Sequence, residues 1–347
     1  MPDESAVSVV SVVSVVSFMA VVMFCTLVAY AVLAGADFGA GFWALFARGE
    51  RGERARSLID WSIGPVWEAN HVWLIFLIVL LFTCFPSAYA AASTALFWPL
   101  HLVLIGIVFR GAAFVFRAYG PATAGAQAVW SRIFGAASAV TPMLLGMCLG
   151  AVSTGGIRVY GGSVASESLF AWLDVFPAMT GLLALLLCAY LAAVYLAWES
   201  EGDLQEDFRR RALLTWVAAG VVSIATLLLA REETSRLWTR LTTAPANALV
   251  LAGVLLAPAS LLCLLRRRFG VARVLGAAQV VVLLAGWGAA QWPYLIFPDL
   301  TIATTAAPAS TLSLIAATLP FGLAALVPSL WFLFAVFKGR NPQAQKS

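Results

Sequence analysis

Apolar runs long enough to cross a membrane follow one another along the chain, and most charge is confined to the short segments between them. A transmembrane helix needs roughly 20 predominantly apolar residues. Bounded by charge or Pro, nine candidate spans are read at about 7–36, 66–85, 88–116, 130–152, 168–198, 212–230, 246–265, 272–297 and 310–337. Hydrophobic residues make up 62% of the sequence and charged ones 11%, against about 25% charged in soluble domains. So few charges cannot coat a soluble globule. The expected fold is an all-α polytopic membrane protein. It reads as one integral-membrane domain over 1–347, with a motif-rich first half (7–152) and a second half (168–337). The loops are too short for a soluble catalytic or nucleotide-binding domain. The net charge of +4 comes from scattered Arg and Lys, not from a basic face, so nucleic acid is not an expected partner.

The basic residues orient the chain. With the N-terminus outside, 16 of the 21 Arg and Lys fall in inside loops and the C-terminal tail, and 4 fall outside. Arg110 alone falls within a span. That asymmetry is the positive-inside pattern. It places the N-terminus on the periplasmic side and the C-terminus in the cytoplasm. The first charges, Asp3 and Glu4, are acidic, so no secretory leader is expected, and the Ser8–Ser17 repeat reads as the start of the first span.

Metal chemistry finds little support in the side chains. The five Cys lie inside apolar runs with no CxxC spacing, and read as buried small hydrophobes. Only two His occur, His71 and His101, too few for a rich ligand set.

An ionisable group in the hydrocarbon core costs roughly 3 kcal/mol or more and is by default a functional candidate. Asp37 lies in the Gly-rich run Gly35–Gly41, where small residues allow close helix approach. Glu68 follows Gly64-Pro65, a helix start. Trp67, Glu68, Asn70, His71 and Trp73 crowd into seven residues there, and Glu68 and His71 are i, i+3 on one face. That spacing also matches half of a di-iron site, but the required second ExxH is missing from the chain. Arg110 lies late in the third span, at the predicted depth of Asp37 and Glu68. It either snorkels to the interface or pairs with one of those carboxylates. His101 is mid-span and reads as an interior hydrogen bonder, while Asp174 and Asp299 read as interfacial.

At these residues the sequence resembles subunit II of the cytochrome bd-type quinol oxidases. The resemblance is carried by Ala36-Asp37-Phe38-Gly39-Ala40-Gly41, then Gly64-Pro65-Val66-Trp67-Glu68-Ala69-Asn70-His71-Val72-Trp73. Phe85-Pro86-Ser87, Phe109-Arg110-Gly111 and Phe297-Pro298 fit the same pattern. The Trp67-Glu68 form and short length sit nearest the cyanide-insensitive branch. The resemblance implies two four-helix bundles plus a peripheral helix in a bacterial plasma membrane. It implies a large subunit I as partner, bearing two haems b and one haem d, with quinol as electron donor. A small accessory subunit, lipid and quinone are further partners of such complexes. This chain itself would bind no haem or metal and would hold no catalytic residue. The family assigns proton entry to a carboxylate after the motif Trp, the position of Glu68 here, while His71 departs from the pattern.

The implied role is a cytoplasmic proton inlet formed by Glu68, Asp37 and Arg110, with His71 beside them and Trp67, Asn70, Trp73 and Gly39 supporting the motif. Two other classes compete: a secondary transporter, which should repeat its polar site in both halves, and a purely structural membrane partner.

Overall fold

The computed structural model describes residues 4–63, 67–120 and 123–338. The side chains of 4–13, 63, 67–69 and a few isolated positions lie outside that description. The chain is almost wholly helical. Its helices are α1 (Glu4–Ala44), α2 (Gly49–Ile63), α3 (Trp67–Cys84), α4 (Pro86–Ala95), α5 (Phe97–Tyr119), α6 (Ala124–Thr154), α7 (Val175–Glu199), α8 (Gly202–Glu233), α9 (Ser235–Leu241), α10 (Ala246–Leu265), α11 (Phe269–Gln291), α12 (Ile302–Thr305) and α13 (Ala309–Lys338). Two short hairpins interrupt them: β1 (Val159–Tyr160) with β2 (Ser163–Val164), and β3 (Tyr294–Ile296) with β4 (Leu300–Thr301), both antiparallel. Among the described residues, eight helices are long and apolar enough to cross a membrane, or nine if the bent pair α3–α4 is one span.

Several expected spans shift, each for a local reason. The segments 66–85 and 88–116 read as two successive spans. Instead Pro86 opens a separate helix, α4, bent 118° from α3, and α5 begins only at Phe97. The overlong run 168–198 divides, because Ser166–Leu173 winds as a 3₁₀ helix before α7 starts at Val175. The run 272–297 stops at Gln291, just before Trp292-Pro293, where Pro cannot continue a helix. Conversely, 212–230 extends to Gly202–Glu233, so Arg209, Arg210 and Arg211 lie in helical turns and not in a loop. α1 runs on to Ala44, which leaves Asp37 two turns inside the helix and not at its end.

α7 lies at the centre, against α1, α6, α8 and α11. Its inward faces carry Ala189, Ala192, Ala193 and Ala197, all fully buried. Small residues let neighbouring backbones approach closely, which substitutes for the hydrophobic drive that lipid does not provide. α13 is different: Phe321, Trp331 and Phe332 are largely exposed, as expected of a surface that meets hydrocarbon or another subunit.

Polar contacts gather at the two ends of the helices. At one end Arg51 of α2 meets Asp203 of α8, and Arg267 meets Glu206. At the other end the two hairpins are tied together by Asp299. Its carboxylate accepts from Arg158 Nε at 3.0 Å and from the Val159 N–H at 2.8 Å. Burial pulls the Asp299 carboxyl upward, but these two donors and the Arg158 charge outweigh it, and its pKa lies below the usual value. A depressed carboxylate pKa means the contact is fully present at neutral pH and is lost as pH falls through the folded value, below about pH 4. Asp299→Asn is therefore expected to lower the melting temperature of the purified protein at pH 7 and to flatten the acid side of its stability profile. Melts recorded across an acid pH series check this.

Candidate functional site: a buried ion pair between α1 and α5

Arg110 of α5 and Asp37 of α1 form an ion pair with side chains only 1% and 3% exposed. Arg110 Nη2 donates to Asp37 Oδ1 at 2.5 Å, and Arg110 Nε donates to Ser138 Oγ of α6 at 3.0 Å. Ser138 in turn donates to the Phe134 carbonyl, one turn back, at 2.7 Å. The guanidinium carbon lies 5.0 Å from the ring centres of both Phe38 and Phe134. Two aromatic faces and a carboxylate thus replace water around the cation.

The backbone is shaped to permit this. A Cβ on Gly39 would collide with the Cys188 carbonyl of α7, and one on Gly41 would collide with the Ser138 hydroxyl. Only Gly lets α1 settle this closely between α6 and α7 with Asp37 facing α5.

The polar inventory around the pair is incomplete. Asp37 Oδ2, Arg110 Nη1, Tyr30 OH, Trp73 Nε1 and Thr141 Oγ1 are buried and have no hydrogen-bond partner among the described residues. Buried polar atoms almost always find a partner, and ordered water is the usual one where protein supplies none. His71 borders the same region, its ring 6.2 Å from Phe38 and 6.4 Å from Tyr30. Asn70 anchors α3 to α1 by donating to the Leu33 carbonyl at 3.4 Å.

Seven residues beyond Arg110, Arg117 repeats the arrangement nearer the helix end. Its Nη2 donates to both carboxylate oxygens of Asp60 in α2, at 2.8 and 2.7 Å. Its guanidinium carbon also lies 5.0 Å from the Phe134 ring centre. The Arg117 side chain is 9% exposed and that of Asp60 44%. Burial pushes the Asp60 carboxyl above its ordinary pKa, against the opposing pull of Arg117 and Arg56. This pair lines a polar cavity of about 750 Å3 among α1, α2, α5 and α6.

The expected residues divide into three groups. Asp37 and Arg110 are brought together, with Gly39, Asn70, His71 and Trp73 around them. Trp67 and Glu68 lie in the first turn of α3, but their side chains are outside the described residues. His101 is the correction: it was expected mid-span, but α5 starts at Phe97, and His101 lies exposed in its early turns. There its Nδ1 bonds the Phe97 carbonyl at 2.7 Å and its ring lies 3.9 Å from that of Phe97. Arg117 also moves, from an expected loop into α5. Tyr30, Asp60, Phe134, Ser138 and Thr141 were not anticipated. The i, i+7 spacing of Arg110 and Arg117, which puts both on one helical face, was the available signal. Among the described residues no group of three or more His, Cys, Asp and Glu could hold a metal ion.

A many-helix bundle with an enclosed ion pair and a rim pair on one face defines the chain as a multi-pass membrane protein with a polar site inside its helices. Residues 15–337 match the family Cytochrome bd terminal oxidase subunit II. The chain belongs to that family. A provisionally named cytochrome bd menaquinol oxidase subunit II of Bacillus subtilis (strain 168) is 25% identical over 325 residues, covering 89% of this chain and 91% of the relative. The cytochrome bd ubiquinol oxidase subunit 2 of the same organism is 30% identical over 198 residues, 57% of this chain and 56% of that one. Cytochrome bd-I ubiquinol oxidase subunit 2 of Escherichia coli (strain K12) is 28% identical over 202 residues, 57% of this chain and 51% of that one. For these last two, the matched segments span about half of each relative's length. The bd oxidase of Geobacillus thermodenitrificans contains a chain with the same fold, at TM-score 0.80 and 21% identity, covering 94% of this chain and 100% of that one.

The buried pair makes a sharp stability prediction. Removing one partner of a buried ion pair leaves an uncompensated charge and costs about 3–5 kcal/mol, whereas replacing both with apolar groups is often neutral. Asp37→Leu alone should strongly destabilise the protein, and Asp37→Leu with Arg110→Met should recover most of that loss. A double-mutant cycle on thermal unfolding measures the difference.

Proposed function

We propose that this chain is the haem-free second subunit of a quinol-oxidising, oxygen-reducing bd complex in a bacterial plasma membrane. It supports the large subunit, which carries the haems b and d, and supplies a proton inlet from the cytoplasmic side. Family membership supports the first part. The observation that carries the inlet is the set of buried, unpartnered polar atoms around Asp37 and Arg110, about two turns inward along α1 and α5 from the polar cavity.

The proposed orientation has the N-terminus periplasmic and the C-terminus cytoplasmic, because the Arg-rich helix ends then face inward. The proposed architecture is two four-helix groups, α1, α3, α5, α6 and α7, α8, α10, α11, with α13 peripheral. The packing of α1 on α3 and α6, α5 on α6, α7 on α8, and α10 on α11 supports it.

In this reading Arg110 compensates the Asp37 charge and fixes the geometry of waters beside it. Glu68 is the exchanging group. It lies one turn before His71 on α3, so the two positions share a face. Oxygen reduction consumes protons, and drawing them from the cytoplasm while quinol releases its own on the opposite side charges the membrane. A secondary transporter is disfavoured, because among the described residues the second half has no enclosed Asp–Arg pair to match this one: its ion pairs lie at helix ends or in loops with at least one partner partly exposed.

Glu68→Gln removes the exchangeable proton while preserving shape. Oxygen consumption by the assembled complex should fall about tenfold or more, with the yield of complex retained, and Glu68→Asp should keep most of the activity. An oxygen electrode and a proton-uptake assay check both. Unchanged turnover and uptake in Glu68→Gln would leave a purely structural role.

A further inference from the structure

The cavity of about 750 Å3 among α1, α2, α5 and α6 has a chemistry that the proton inlet does not use. Four guanidinium groups line it, Arg48, Arg56, Arg117 and Arg132, against two carboxylates, Glu53 and Asp60. Arg117 is paired with Asp60 through Nη2. Arg56 donates Nη1 to the Ala47 carbonyl at 2.5 Å. Among the described residues, neither Arg48 nor Arg132 has a carboxylate within ion-pair distance. Two cations therefore face this space without a carboxylate of their own, both in the lining of one cavity.

We propose that this cavity seats the phosphate of an anionic phospholipid headgroup between Arg48 and Arg132. A planar guanidinium fork matches phosphate oxygens in geometry as well as charge. A volume of this size suits a small polar headgroup. The cavity opens where α1 and α5 end, the depth of a membrane interface. Exposed aromatic residues follow its lining residues closely in the chain, Phe46 between Leu45 and Ala47, and Phe116 and Tyr119 beside Arg117, the residue type that collects at headgroup level. Basic pockets between helices at this depth are suited to lipid headgroups. A lipid is favoured over a soluble anion because its acyl chains hold the phosphate beside the site at high effective concentration. This inference stands independently of the proton-inlet reading.

The test uses the complete oxidase complex, purified in mild detergent and stripped of loosely held lipid. It compares wild type, Arg48→Gln/Arg132→Gln, and a control with the same charge removed outside the cavity, Arg266→Gln/Arg268→Gln. Each is titrated with phosphatidylglycerol vesicles, phosphatidylcholine vesicles and inorganic phosphate. Bound phospholipid is counted by native mass spectrometry and stability by thermal melts. Wild type and the control should bind and be stabilised by phosphatidylglycerol alone. The cavity variant should bind it about tenfold to thirtyfold more weakly. Equal loss in the control, equal binding in the cavity variant, or equal stabilisation by inorganic phosphate would each overturn the assignment.

Discussion

A guanidinium and a carboxylate, both almost wholly withdrawn from solvent, meet where α1 and α5 face each other. Everything around them is arranged to make that burial tolerable. Phe38 and Phe134 lie against the cation, and Ser138 gives its hydroxyl oxygen to Arg110 Nε. An isolated charge here would not survive in a membrane protein, since its desolvation penalty is several kcal/mol. The pair thereby couples three helices, α1, α5 and α6, through one set of contacts. A shift in any of the three would open the pair, which makes the site a register pin for the first half of the chain.

That pin depends on backbone approach, not on side-chain bulk. Gly39 and Gly41 remove the two Cβ atoms that would keep α1 away from α7 and α6. α7 answers with a surface of buried Ala. In lipid the helices gain little from hiding apolar surface, so contact is won by van der Waals fit between small residues. The polar site and the small-residue packing are thus one construction: the glycines bring the helices close, and closeness lets one carboxylate and one hydroxyl reach a single guanidinium.

Much of this was legible in the sequence, and the failures have definite causes. Charge scarcity identified the class, and the Gly35–Gly41 run with an embedded Asp marked one half of the pair. The depth of Arg110, inferred from where its span runs, marked the other half, although the alternative partner Glu68 stayed open. Boundaries failed where apolarity outlasts the helix: Phe170 and Trp172 lie in a 3₁₀ segment, and Leu295 lies in a strand, though all three read as span residues. They also failed where charge occurs inside a helix, as at Arg209–Arg211. Hydropathy reports the environment of side chains and not the hydrogen-bonding pattern of the backbone, so it cannot separate these cases. Tyr30, Ser138 and Thr141 were invisible for a related reason. A single hydroxyl in an apolar helix carries no pattern until the partner helix is placed against it.

The two arginines of α5 show how one helical face can serve two depths. Arg110 and Arg117 lie seven residues apart, on nearly the same azimuth, and both guanidiniums lie against Phe134. Each takes an Asp from a different neighbour, Asp37 of α1 or Asp60 of α2. The inner pair is enclosed, but the outer one keeps a carboxylate 44% exposed to the cavity. Polar character therefore continues from the rim toward the core, and the Phe134 ring touches both cations. An aromatic ring at that point lowers the repulsion between like charges without offering a proton a path through itself. In the proposed inlet a proton passes beside the ring toward α3, where the buried Tyr30 hydroxyl and Trp73 Nε1 have no hydrogen-bond partner among the described residues and the His71 ring lies close to Tyr30. The arginine ladder thus acts as electrostatic support, and the exchange proposed for Glu68 falls to the α3 side of the pair.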